Sequence, residues 1–198
     1  MIKKTSEKPT RSMLAFRKTL VEICRNKTVD EIALKDLCKA AGFTAMAFYY
    51  CYDDKHDLAK DIIDSEIINL KNIGVESVSD SDPANPEKSY LSSLASFYEY
   101  IKENADLYRC IIKNKLMPNT LGYVIDELVS YFKENMHFTK DIGEENPGYS
   151  DLMVKIRYTE MFTIIGYWLD RDCDISAAKL AELTNDLLRL QVNLISLN

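Results

Sequence analysis

Chain breakers are scarce. Six glycines and five prolines punctuate 198 residues, so few positions force the backbone out of a helix. Histidine is scarcer still, with His56 and His137 alone, and the five cysteines (Cys24, Cys38, Cys51, Cys110 and Cys173) contain no C-x-x-C pair. These shortages exclude a zinc-ligand cluster and a disulfide framework, and leave free thiols suited to a reducing compartment. The chain has no G-x-S-x-G, no phosphate-cradling glycine loop and no dinucleotide fingerprint. Glu99 and Glu103 stand four apart on one helix face, a spacing common on solvated surfaces, with nothing beside them to make acid–base chemistry. The expectation is a protein that is not an enzyme and holds neither metal nor cofactor. The longest apolar run, 161–169, is too short to span a bilayer, and the polar start at 1–6 lacks the apolar core of a secretion signal. A cytoplasmic location is expected.

What is present is ordinary in total and uneven in distribution. Apolar residues make up 46% of the chain and charged residues 28%, enough of each for a packed core and a wet surface. The net charge of −6 hides a division. Residues 1–60 carry 12 Lys and Arg against 8 Asp and Glu, whereas 61–198 carry 13 against 23. A basic head on an acidic body matters because phosphate neutralisation needs a local positive surface, not a positive total.

Apolar residues recur at helical spacing almost throughout. Residues 1–9 read as a basic flexible arm. Thr10 caps a first helix carrying Met13, Phe16, Leu20 and Cys24; a second spans 34–41; a third starts after Thr44; a fourth, opened by Asp53 and Asp54, runs to about 76. The polar segment 77–87 is the clearest loop. Further helical patterns fall near 87–103, 105–115, 119–140, 149–172 and 176–196, and no stretch alternates as a strand. The fold class expected is all-α with about nine helices: an arm at 1–9, a small N-terminal domain at 10–54, and a helical body at 55–198 entered through a connecting helix.

Within the small domain, two short helices flank a tight turn at Gly42, the helix-turn-helix pattern. Ala40 and Ala41 are small enough for the two helices to cross closely, Gly42 tolerates the positive φ that reverses the chain, Phe43 fills the angle between the helices, and Thr44 caps the second. That second helix is short enough to enter a major groove.

These residues, followed by Phe48-Tyr49, Tyr52, Asp53-Asp54-Lys55 and Asp57-Leu58, resemble the DNA-binding domain of the TetR family of transcriptional regulators, over about residues 10–60. The resemblance implies that Thr44, Tyr49 and Lys55 contact phosphates, that Ala45, Met46 and Tyr50 face the groove, that Lys35 reaches DNA, and that Phe48 and Tyr52 are core. Two departures stand out. Ile32-Ala33 replaces the Thr-Thr found before the second helix in many members, and 44–52 contains no Lys or Arg. The side chains that most often read guanine are therefore missing from the recognition helix, so that direct readout falls to Met46 and Ala45 on thymine methyls and to Tyr50.

The resemblance further implies a C-terminal domain that binds a small effector and pairs its last two helices with those of a second subunit. Segments 97–112 and 162–169 also resemble regulators of the dihydroxyacetone-kinase operon type. The apolar residues of 152–169 cover more than one helix face, which suits a homodimer interface. Twelve tyrosines and seven methionines suit an adaptable pocket. Phe97, Tyr100, Tyr108, Tyr123, Phe162 and Trp168 are its candidate lining, with Phe132, Met136 and His137 as further candidates. The expectation is a repressor released from double-stranded operator DNA by a small molecule. The alternative is a protein-interaction adapter that keeps the fold but has lost direct DNA binding.

Overall fold

Helices form wherever the sequence supplies a cap and an apolar stripe. A computed structural model describes residues 9–79, 85–135 and 147–195. Residues 1–8 of the arm, residues 80–84 of the expected loop, and Met136 and His137 lie outside them, while the rest of that loop is taken up by the ends of two helices and one residue between. Among the described residues there are nine α-helices and no strand: α1 (Arg11–Cys24), α2 (Leu34–Ala41), α3 (Ala45–Cys51), α4 (Lys55–Ser79), α5 (Pro86–Glu103), α6 (Ala105–Ile112), α7 (Thr120–Asn135), α8 (Pro147–Asp170) and α9 (Ala177–Ile195). None is long and apolar enough to cross a membrane. One short 3-10 turn, Val29–Glu31, fills the gap between α1 and α2, where the sequence suggested only a break. It is held by a reciprocal cap: the Thr28 backbone N–H and hydroxyl donate to Glu31 Oε2 at 2.7 and 2.8 Å.

The chain packs as two units. The first combines Met1–Ile68 with Asp106–Glu127, the second Asn69–Ala105 with Leu128–Asn198. The units thus do not break at the expected 54/55 boundary. Most of α6 and the first half of α7 join the N-terminal unit, tied down by long-range bonds. Val29 N–H donates to Lys115 O at 2.9 Å, Lys115 Nζ to Arg25 O at 3.3 Å, and Arg25 faces Asp106 at 3.4 Å.

The core of the first unit is aromatic. Phe16 of α1 meets Phe48 edge-on at 5.1 Å between ring centroids, and Phe43 lies 5.5 Å from Phe16, filling the angle between α2 and α3 as its place after Gly42 predicts. Tyr108 and Tyr123 fasten α6 and α7 to α4: the Tyr108 hydroxyl donates to buried Glu66, and the Tyr123 hydroxyl to Asp64 Oδ1 at 3.0 Å.

In the second unit, α5 packs along α9. Buried Ala177 and Ala181 allow close approach, and the Tyr98 hydroxyl meets Thr184 Oγ1 at 2.9 Å inside that interface. Trp168 is buried against Tyr98, and its Nε1 donates to Ile175 O at 3.0 Å, closing the turn between α8 and α9.

The start of α4 depends on one carboxylate. Asp54 Oδ1 accepts from the backbone N–H groups of His56 and Asp57 at 2.8 and 2.9 Å, so Asp54 is the cap of α4 and not its first turn. These bonds hold its pKa below the ordinary 3.8. A carboxyl whose folded pKa is depressed contributes stability that is complete above its unfolded value and disappears as pH falls through the folded one. Asp54→Ala should therefore lower unfolding stability by about 1 kcal/mol at neutral pH. The difference from the natural chain should vanish below the carboxylate range. A urea-denaturation gap that persists undiminished in acid would show that the substitution acts through something other than the cap.

Candidate nucleic-acid interface and effector cavity

Helix α3 is built by anchoring one face and leaving the other bare. Gly42 closes α2 in the left-handed conformation at φ 74°, and the Thr44 hydroxyl accepts from Ala47 N–H at 3.2 Å to open α3. Phe48 points inward and is fully buried. At the far end of α3, the Tyr52 hydroxyl donates to Asp61 Oδ2 at 2.8 Å, while Arg17 Nε and Nη2 reach the same oxygen at 2.8 and 2.7 Å. One carboxylate of α4 thus locks α1 to the end of α3. Burial, reinforced by the Asp61 charge, pushes the Tyr52 hydroxyl pKa well above its usual value, so it stays a donor.

With Phe48 and Tyr52 held, helical geometry turns the intervening residues outward. Met46, Tyr49 and Tyr50 are 70%, 61% and 71% exposed. Thr44 and Ala45 are exposed beside them, and Lys35 is exposed on α2. Six of the seven residues expected to meet DNA therefore stand on open surface. Lys55 differs. Its ammonium donates to Asp30 O at 2.8 Å and to Ile32 O at 3.0 Å, so it clamps the 3-10 turn to the start of α4. The sequence carries no sign of this engagement, because the two carbonyls lie more than twenty residues away.

In the second unit, a cavity of about 200 Å³ opens among α4, α5, α7 and α8. Leu70 and Ile73 of α4, Leu94 and Phe97 of α5, Leu128 of α7 and Met161 of α8 give it an apolar wall, to which Tyr90, Ser93 and Tyr158 add hydroxyls. Of the six aromatics expected to line a pocket, Phe97 does so. Tyr108 and Tyr123 belong to the first unit, where their hydroxyls are committed to Glu66 and Asp64. Phe162 and Trp168 are core residues at 0% and 1% exposure. Tyr100 accepts from Asn69 Nδ2 at 3.3 Å and stands outside the lining. An aromatic pattern marks burial, and burial alone does not distinguish a packed ring from one facing a void. Tyr90, Ser93 and Tyr158, which sequence reasoning missed, show only the ordinary pattern of an amphipathic helix.

The outer face of α8 and α9 is apolar where a soluble surface is usually polar. Leu152, Met153, Ile156 and Tyr167 of α8, with Leu183 and Leu187 of α9, are 43–69% exposed. Ile156, Ile164 and Leu187 line a shallow groove between the two helices, bordered by Lys155 and Glu160. The opposite side of α8 buries Val154, Phe162, Ile165 and Trp168. This accounts for apolar residues on more than one face of that helix.

No protein-family model matches the chain, and no curated protein matches it in sequence. Among solved structures it is similar to the fatty acid degradation regulator FadR from Bacillus halodurans, at 13% identity and a TM-score of 0.67, covering 92% of this chain and 96% of that one. It is also similar to the dihydroxyacetone kinase operon activator DhaS, at 13% identity and a TM-score of 0.51, covering 92% of this chain and 97% of that one. The chain therefore has the all-helical fold of known transcription regulators over nearly its whole length.

Proposed function

We propose that the chain is a DNA-binding transcription regulator of the TetR family, cytoplasmic and homodimeric, with a small effector held in the body of each subunit. The observation that carries this reading is the exposed outer face of α3. Three large side chains, Met46, Tyr49 and Tyr50, stand in solvent on a helix whose other face is locked by Phe48 and Tyr52. A soluble surface gains nothing from presenting them, whereas a major groove offers thymine methyls to Met46 and Ala45 and base-edge acceptors to Tyr50. Thr44, Tyr49 and Lys35 meet phosphates. Lys55 acts mainly by holding the loop before α2, so its contribution is positional.

In a dimer paired through α8 and α9, the two recognition helices occupy successive major grooves roughly one helical turn (~34 Å) apart. Leu70 and Ile73 line the cavity from the same continuous helix, α4, whose first half belongs to the DNA-binding unit. An effector that prefers one setting of that helix shifts the population between DNA-competent and incompetent states by its ratio of affinities. Release of a repressor is the regulation this supports.

The test is a titration of the DNA upstream of the chain's own gene across a range of salt. Tyr49→Phe combined with Thr44→Ala should weaken binding to every sequence by about tenfold with the salt slope nearly unchanged, because neither hydroxyl is a cation, whereas Lys35→Ala should lower the slope by about one. Met46→Ala should instead relax discrimination at one base pair while leaving the slope alone. Unchanged affinity in the double variant would remove α3 from the interface. The adapter reading retains one specific support: α3 lacks any cation and its exposed face is largely apolar, a composition also suited to a protein surface. Absence of binding even at low salt would favour it.

A further inference from the structure

The cavity in the second unit carries more information than its position. Among the described residues, no charged side chain lines it. The cavity is partly open, and a carboxylate, phosphate or ammonium held against its apolar wall would give up hydration without gaining a counter-charge from the lining, which is disfavoured. The guanidinium beside the wall is already engaged: Arg157 donates to Glu160 Oε2 and to the Tyr90 hydroxyl, each at 3.1 Å. Tyr90 thus turns its oxygen toward Arg157. Two hydroxyls remain, Ser93 on α5 and Tyr158 on α8, and neither has a hydrogen-bond partner among the described residues. Tyr158 is largely desolvated, which keeps its hydroxyl protonated and a donor. An underused donor at the edge of an apolar void is a place for one oxygen of a ligand.

Size narrows the class. An apolar cavity of about 150 Å³ accepts benzene, so about 200 Å³ corresponds to roughly eight to ten non-hydrogen atoms. We propose that this cavity takes a neutral, mainly hydrocarbon molecule of about that size, with a short aliphatic or single-ring body and one hydroxyl or carbonyl oxygen bonded by Tyr158 and Ser93. The inference rests on reading the cavity as the effector site, and it identifies the effector's chemistry.

Calorimetry on the full chain tests it with five probes: n-octanol, p-ethylphenol, toluene, octanoate and glycerol. The two neutral amphiphiles should bind with dissociation constants of about 10–100 μM. Octanoate should be at least about a hundredfold weaker, because its charge has no partner in the cavity, and glycerol should give no heat. Leu94→Trp, which fills the void, should abolish binding. Tyr158→Phe with Ser93→Ala should weaken n-octanol by about tenfold while leaving toluene unchanged. Should Leu94→Trp fail to fold, the milder double variant decides. Octanoate binding as tightly as n-octanol, or no heat from either neutral probe, overturns the proposal. So does n-octanol affinity indifferent to the double variant. Binding of n-octanol that leaves DNA affinity unaltered would keep the ligand class and sink regulation by release, so the two failures are separable.

Discussion

Ile156→Glu combined with Leu187→Glu should convert the proposed dimer into a monomer. Both residues are about half exposed on the outer face of α8 and α9, and both line the groove between those helices. Paired across a two-fold axis, each would be covered by the same surface of a second copy, so every substitution acts twice. Four carboxylates in an interface where Lys155, alongside Glu160, is the cation bordering the groove would outnumber the charges able to pair them, at a cost of several kcal/mol. Dimer affinity should fall by at least about a thousandfold, or roughly 4 kcal/mol. Sedimentation velocity across a concentration series reads this directly. DNA affinity should fall with it, since the two half-sites would no longer be bound as one linked pair. Neither residue packs into the core, so the helical content of the monomer should be preserved. If the double variant sediments like the natural chain, no dimer forms through this face.

Phe48→Ala should be the most damaging single change in the first unit. The ring is fully buried, with centroids of Phe16, Tyr49 and Tyr52 at 5.1, 5.8 and 5.7 Å. Truncation removes its apolar burial and leaves a cavity that the flanking helices can only partly close. The typical cost is about 3–5 kcal/mol, a large share of the roughly 5–15 kcal/mol that holds a domain folded. The damage should be local at first, because Phe48 belongs to the unit that excludes α5, α8 and α9. Hydrogen exchange should show faster opening of α1 to α3, with Trp168 fluorescence little changed. A destabilisation under 1 kcal/mol in urea would mean that Phe16 and Phe43 collapse into the space. Phe48→Leu, which keeps most of the volume, should cost much less.

Much of the candidate DNA interface was legible because its determinants are local. A threonine followed by free amides is a cap wherever it falls, and Thr10 and Thr44 both accept from the backbone three residues on. Glycine is the residue that enters the left-handed region without strain, which places the turn at Gly42. Once Phe48 and Tyr52 are assigned inward, helical periodicity alone puts Met46, Tyr49 and Tyr50 outside. The candidate effector cavity was less legible, since a list of aromatics contains core rings, capping hydroxyls and cavity walls alike. Tyr108 looks no different from Phe97 until Glu66 is found beside its hydroxyl.

By itself, then, the order of residues determined the helical character of the chain, the helix-turn-helix and its exposed side chains, for these depend on neighbours within about one turn. Several helix ends moved by a few residues, as where α4 runs on to Ser79. Tertiary packing alone decided that most of α6 and half of α7 join the first unit, that Lys55 grips two distant carbonyls, and that Tyr90, Ser93 and Tyr158 surround a void. Those outcomes depend on which surfaces meet across long stretches of chain. Amphipathic periodicity tells a helix which face to bury and is silent about what it will be buried against.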